Sequence, residues 1–237
     1  MTPVRGISKR ENDTLLAWLI AFELGLVGIY AADYLLGTPV WVIHDLFNMN
    51  GEMTVTAWFS SLQLFAIGLV FAFKARQTES ADRPQRWFYI LAAAVFFFLS
   101  LDESAAIHER ITVVFSRYAW LPRFRDNHGI WIFIYVPIGI ILFAASARQL
   151  TAMSRRHRRA TGAMAVGVAV VLLGAVGFEA LGFEYLSGDE SSVLFHAEAA
   201  CEEFCEMCGA SLILHGAIQV LIAEPTKAEQ PTRAVAQ

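Results

Sequence analysis

Runs of roughly 20 apolar residues recur six times along this chain, and no other feature restricts its fold so severely. A run of that length can cross the hydrocarbon of a bilayer as a helix, which bonds every backbone N–H and C=O within the segment. The candidate spans run from about Thr14 to Leu36, Glu52 to Phe73, Trp87 to Phe115, Gly129 to Ala147, Thr161 to Tyr185 and Ser191 to Ile222. The expected fold class is therefore all-α: one polytopic membrane domain over residues 1–237, a bundle of six transmembrane helices, with a disordered cytoplasmic tail at 225–237. The first span reads as a permanent helix rather than a cleaved leader, because it is long, carries Glu23 and lacks a convincing small-residue cleavage site.

Composition points the same way. Mean hydropathy is +0.48, and charged residues make up 17% of the chain, against roughly 25% in soluble domains. A formal charge of −4 leaves no basic footprint for nucleic acid. All 3 cysteines fall in the last span, which rules out a disulfide framework. Cys205 and Cys208 form a CxxC pair, but no second pair completes a zinc site and no βαβ pattern surrounds it.

Lys and Arg set the orientation. Arg5, Lys9 and Arg10, then Lys74, Arg76, Arg83 and Arg86, then Arg148 and "RRHRR" from Arg155, and finally Lys227 and Arg233 all fall on one side of a six-span chain. The other side holds Arg110, Arg117, Arg123, Arg125 and the acidic turn "SGDESS". The positive-inside rule then predicts both termini in the cytoplasm. The expected location is a bacterial inner membrane, crossed several times, with the outer ends of the spans facing the periplasm.

Against that background the last span is anomalous. "HAEAACEEFCEMCG", from His196, carries Glu198, Glu202, Glu203 and Glu206 in its outer half. At about 1.5 Å per residue, Asp102 and Glu179 also lie in the outer halves of their spans, and Glu52 opens the second span on that side. Elements far apart in sequence thus converge at one depth. At about 100° per residue, Asp102 and Glu109 share a face, flanked by His108 and Glu103. Glu202, Glu203, Glu206 and His196 share an arc with Glu198 at its edge, and Cys201, Cys205 and Cys208 form a separate stripe of packing positions.

A carboxylate in hydrocarbon costs at least about 2.5–3.5 kcal/mol, and several together repel one another. No Lys and almost no Arg is placed to neutralise them. One or two divalent metal ions, iron, zinc or manganese, would solve the charge problem and use the histidines as well. The expected ligand set is Glu52, Asp102, His108, Glu109, Glu179, His196, Glu198, Glu202, Glu203 and Glu206, with no catalytic residue singled out and no organic cofactor. HExxH, GxSxG, the P-loop and the Glu-x-x-His spacing of di-iron bundles are all absent. The double Glu of "CEEF" is similar to that of intramembrane CAAX-type proteases, but Met207 stands where those need an arginine.

The expected function is a membrane metalloenzyme, a hydrolase or oxidase, acting on a lipid or apolar substrate from the outer side. A second class is a cation or proton transporter using the carboxylates as its pathway, for which only Glu23 and His215 continue the path inward. A third is a structural subunit of a larger membrane complex. Glu23 and His215 read singly as helix–helix hydrogen-bond partners, and His44 and Asp45 as members of an outer loop.

Overall fold

The computed structural model describes residues 7–79, 81–186, 188–189 and 191–223, and these contain helices and no strand. The expected tail at 225–237 lies outside the described residues, as do Arg5, Lys227 and Arg233. Each long helix starts where a short polar side chain can bond a free backbone N–H. Ser8 and Glu11 form a capping box at the start of α1 (Lys9–Leu35). Thr54 accepts from Ala57 N at the start of α3 (Val55–Gln77), and Ser192 from Phe195 N at the start of α9 (Val193–Ile222). Asp82 does the same for α4 (Arg83–Ala105), with a proline in its first turn.

Five helices are long and apolar enough to cross a membrane: α1, α3, α4, α9 and the continuous α8 (Arg158–Leu186). The fourth expected span is not straight. It is a pair, α6 (Ile132–Ala145) and α7 (Ala147–Arg156), bent by 61°. Two further departures matter. The periodic reading runs one helix from Trp87 through Phe115, whereas the chain breaks at Ala106, which takes the left-handed conformation (φ 48°, ψ 47°) before α5 (Ile107–Phe115) begins. His44 and Asp45 are not in a loop but on the short α2 (Trp41–Phe47).

Helix α9 is central, packing against α1, α3 and α8, while α4 packs on α3. Over half of its most apolar window is buried, against a third or less in the other long helices. Glycine brings α8 and α9 together. A Cβ on Gly167 would sit 2.6 Å from the Gly209 carbonyl oxygen, and one on Gly209 would sit 2.6 Å from that of Gly167. Further along, Gly174 gives the same close approach to Glu202 and Glu206. Past Leu172, α8 widens into π-helical turns at Leu173–Phe178 and Gly182–Leu186.

The bundle has two ends. At the base, Asn12 near the start of α1 donates to the His215 carbonyl of α9, and Asp82 pairs with Arg156. The mouth collects the 36–54 segment, α5 and the start of α9. The main apolar core lies toward the base, built on Ile67, Phe71, Tyr89, Met164, Ile213 and Ile218. The outward flanks stay apolar, with Trp18, Ile140, Phe143, Val166 and Leu172 all exposed.

Candidate functional site

At the mouth the helices part around a cavity of about 240 Å³. Glu52, Asp102, Glu103, Glu109, Glu179, Glu202, Glu203 and Glu206 reach it, with His108 as the one imidazole. No Lys or Arg among the described residues lines it. Arg110, the nearest candidate by sequence, turns instead to the Ala105 carbonyl and satisfies the end of α4.

The break at Ala106 builds this site. In a straight helix, Asp102 and His108 would stand about 9 Å apart along the axis. With the chain turned at Ala106, the Asp102 carboxylate reaches over the gap, and its Oδ1 accepts the backbone N–H of His108 at 2.8 Å. It thereby caps α5, whose own N-cap residue has no side chain to do so. The other oxygen, Oδ2, lies 3.2 Å from His108 Nδ1. A carboxylate only accepts, so Nδ1 carries its proton toward Asp102 and Nε2 is left for a ligand. Tyr135 donates to Asp102 Oδ1 at 3.2 Å, and the Trp131 ring stands edge-on to His108 at 5.3 Å.

Glu52, His108 and Glu109 each offer a ligand atom, all within 4.8 Å of one another. Glu52 arrives from the turn before α3 and the other two from the first turn of α5. Burial first, then the Glu109 charge, lifts the Glu52 carboxyl to about 7, against the opposing pull of His108. Burial alone would lower the His108 imidazole, but the hydrogen bond to Asp102 and the charges of Asp102, Glu179 and Glu52 outweigh it and lift the group to about 9. Both groups therefore bind protons more tightly than usual, and a metal ion competes with those protons. Deeper in the cavity, Glu179 accepts from Trp131 Nε1 at 3.0 Å.

Of the ten residues expected from the sequence, eight line this cavity and two do not. His196 has the right face but lies two helical turns toward the mouth from Glu203. There it shares a 2.7 Å hydrogen bond with Tyr30 and packs on the Tyr34 ring at 4.0 Å. Glu198 approaches Glu202 and packs against the backbone of Gly182, where its Oε1 is buried without a partner. Asp102 lies at the cavity as expected, but its hydrogen bonds make it the residue that orients His108. Glu103, set aside as flanking the helical face, lines the cavity too; its signal was its place beside Asp102, obscured by the assumption of an unbroken helix. The cysteines lie apart from the cavity, with Cys201 exposed and Cys205 and Cys208 half-buried.

The sequence family described as Domain of unknown function (DUF8692) matches residues 15–220, so the chain belongs to that family. No curated protein and no solved structure matches the chain.

Proposed function

We propose that this member of the DUF8692 family is a multi-pass membrane metalloenzyme whose Glu52, His108 and Glu109 hold a divalent ion at the mouth of the bundle. The observation that carries the reading is the trio itself: two carboxylates and one imidazole, the imidazole oriented by a carboxylate, in a cavity that no Lys or Arg of the described residues lines. An oxygen-rich set with one nitrogen suits iron, zinc or manganese, and the deeper Glu103, Glu203 and Glu206 leave room for a second ion. A bound ion supplies Lewis-acid or redox chemistry. The chain's own part is to fix the His108 ring through Asp102, and to offer Glu202 as a group that takes up or releases a proton inside the cavity. Met49, Leu64, Leu99, Val171 and Phe183 share the lining with the carboxylates. This mixed wall fits a lipid or other apolar substrate with its polar end at the trio.

The membrane setting draws on the exposed apolar flanks, which are far too extensive for a surface in water. Trp41, Trp58 and Trp120 are exposed toward the mouth and Trp87 at the base, as the two aromatic belts of a bilayer protein would be. Lys9, Arg10, Lys74, Arg76, Arg83, Arg86, Arg148, Arg155 and Arg156 all lie at the base, against four arginines at the mouth. The base then faces the cytoplasm, α6 and α7 together make the sixth span, and the site opens to the periplasmic side of a bacterial inner membrane.

Elemental analysis of purified protein tests this directly. The wild type is expected to carry one or two divalent ions per chain, and Glu52→Gln, Glu109→Gln and His108→Ala to lose an ion while keeping wild-type helicity. Metal-free wild type, prepared without chelator, would sink the reading. Loss of metal in Glu202→Gln and Glu206→Gln with full retention in Glu52→Gln would move the centre deeper into the cavity.

A further inference from the structure

Apart from the cavity lining, level with Ser211 next to Ala210 on its floor, another carboxyl is sealed inside the bundle. Glu23 on α1 has no exposed surface. Its Oε1 accepts from Ser211 Oγ at 2.6 Å and from Gln63 Nε2 at 2.9 Å, tying α1, α9 and α3 together. Gln63 Nε2 also faces the Met207 carbonyl at 3.3 Å. A carbonyl and a carboxylate only accept, so this end of the amide must be its nitrogen. The clasp leaves two buried acceptors with nothing to accept, Glu23 Oε2 and Gln63 Oε1. A helix–helix fastening accounts for one side of the carboxyl and leaves the other orphaned, which is costly in the interior.

One proton answers both orphans. On Glu23 Oε2 it turns an acceptor into a donor, and Gln63 Oε1 is the free acceptor on the side chain already bonded to Glu23. A hard divalent cation is a poorer occupant, since it needs about six oxygen ligands and two donors already point at this carboxylate. No charged side chain of the described residues bears on Glu23. From α3 it meets the neutral Gln63, and from α9 the thiol of Cys208 senses its charge.

The carboxyl is also in line with other proton carriers. Along α9, Glu203, Met207, Ser211, His215 and Gln219 recur every four residues, so each lies about 6 Å below the last and about 40° further round the helix, in a row that winds toward the base. Glu203 opens into the cavity. His215 Nε2 accepts from the Gln219 amide nitrogen at 2.7 Å, so the neutral ring carries its proton on Nδ1; Nε2 also comes within 3.6 Å of Asp13 Oδ1 at the half-exposed base, while Nδ1 is buried without a partner. An imidazole takes up a proton on one nitrogen and releases one from the other, so a ring with one nitrogen in the core and one at the base relays without leaving its place. Met207, which stands between Glu203 and Ser211 along α9, is wholly buried and unbranched, a flexible plug.

We propose that Glu23 is a proton-carrying site on a gated path from the cavity to the base, and that the protein moves protons across the membrane. Glu23 Oε2 releases its proton toward the cavity; a proton arriving at His215 Nε2 from the Asp13 side then frees the one on Nδ1 to reprotonate Glu23. This reading stands apart from the metal centre, because neither Glu23 nor His215 lies in the trio.

The test uses purified full-length protein in liposomes with a pH-sensitive dye inside and a potassium–valinomycin potential to drive proton entry. Wild-type vesicles are expected to acidify. Glu23→Gln keeps the size and polar contacts of the protonated acid, so it should fold and retain bound metal, yet fall to the rate of protein-free vesicles. Glu23→Asp, which restores a titratable group, should recover part of the flux, and His215→Ala should slow it. Absence of flux through wild type, undiminished flux through Glu23→Gln, or sodium uptake without proton movement would each overturn the proposal, while metal content reads the trio independently.

Discussion

One carboxylate holds both the ring and the chain of His108: Asp102 Oδ2 lies 3.2 Å from His108 Nδ1, and Asp102 Oδ1 accepts the His108 backbone N–H at 2.8 Å. The side chain that turns the helix is thus the one that aims the imidazole. Asp102→Asn keeps the shape but loses one of the two acceptor oxygens that face these donors. Metal affinity is expected to fall about 10–100-fold, the usual cost of losing a carboxylate behind a ligating histidine. Calorimetric titration of metal-stripped protein with zinc or manganese measures it. An affinity equal to wild type would leave Asp102 as a helix cap alone, worth about 0.5–2 kcal/mol of stability.

The dependence of stability on pH follows from the same trio. Glu52 is lifted from 4.5 to about 7 and His108 from 6.5 to about 9. Each group binds its proton more tightly in the folded protein, so the stability it adds is complete below its ordinary value and lost as pH rises through the raised one. Metal-free protein should therefore melt at progressively lower temperature across both windows. Bound metal displaces these protons and reverses the slope. Thermal unfolding in detergent with chelator, repeated with metal, checks the sign. Glu52→Gln should flatten the lower window and narrow the upper one, because the Glu52 charge helps to lift His108, and a metal-free profile that rises with pH would contradict the assignment.

The contact between α8 and α9 leaves no room for a side chain at its centre. Gly209→Ala places a methyl 2.6 Å from the Gly167 carbonyl oxygen, with the Val171 backbone nitrogen 2.7 Å away. Backbone cannot swing aside as a side chain does, so the helices must separate, at a cost of about 1–3 kcal/mol. The melting temperature is expected to drop. Because the same packing sets α9 beside α8, metal occupancy should drop with it. Gly139→Ala, where an added Cβ meets nothing within 4 Å, is the control.

The cysteines give the opposite expectation. None of the three lines the cavity, and Cys201 is exposed on a flank. The triple Cys201→Ser, Cys205→Ser, Cys208→Ser variant should keep its metal within error while losing all thiol reactivity. Loss of metal there, with retention in Asp102→Asn, would put the centre on the wrong side of α9.

Much of this architecture was legible because the long helices announce themselves by length and apolarity. Expected ends at Leu36, Tyr185 and Ile222 fall within a residue of those of α1, α8 and α9. The convergence of carboxylates was legible too, because alternating spans fix which ends share a depth. The break at Ala106 was not. "ESAAIHE" contains no glycine or proline, and nothing local in it disfavours a helix. The left-handed alanine is sustained by a side-chain contact six residues long, the Asp102 carboxylate closing over the His108 amide, which helical periodicity does not signal. The same limit displaced His196. Helical phase places it on the arc of Glu203 correctly, but phase says nothing about what stands opposite at each level, and at that level α1 offers Tyr30 and Tyr34 rather than the cavity. The α2 helix follows Pro39 closely, a start signal that seven residues could not strengthen by periodicity.

The π-helical turns of α8 have a consequence for how this family can vary. A π turn closes its hydrogen bond one residue later than an α turn, so it accommodates one residue more on the same arc. The Leu173–Phe178 turn immediately precedes Glu179, the residue that meets Trp131 over the cavity. Deleting a single residue there would let the turn relax to ordinary α-helix. Because the turn holds one residue more on the same arc, that deletion would leave Glu179 facing its partner, and only a second one, taken from ordinary α-helix, would rotate it by about 100°. Helix length in this stretch is therefore part of the site: substitutions can drift freely along the lipid-facing flank of α8, and a single one-residue gap before Glu179 is absorbed by the π turn, whereas a second is not.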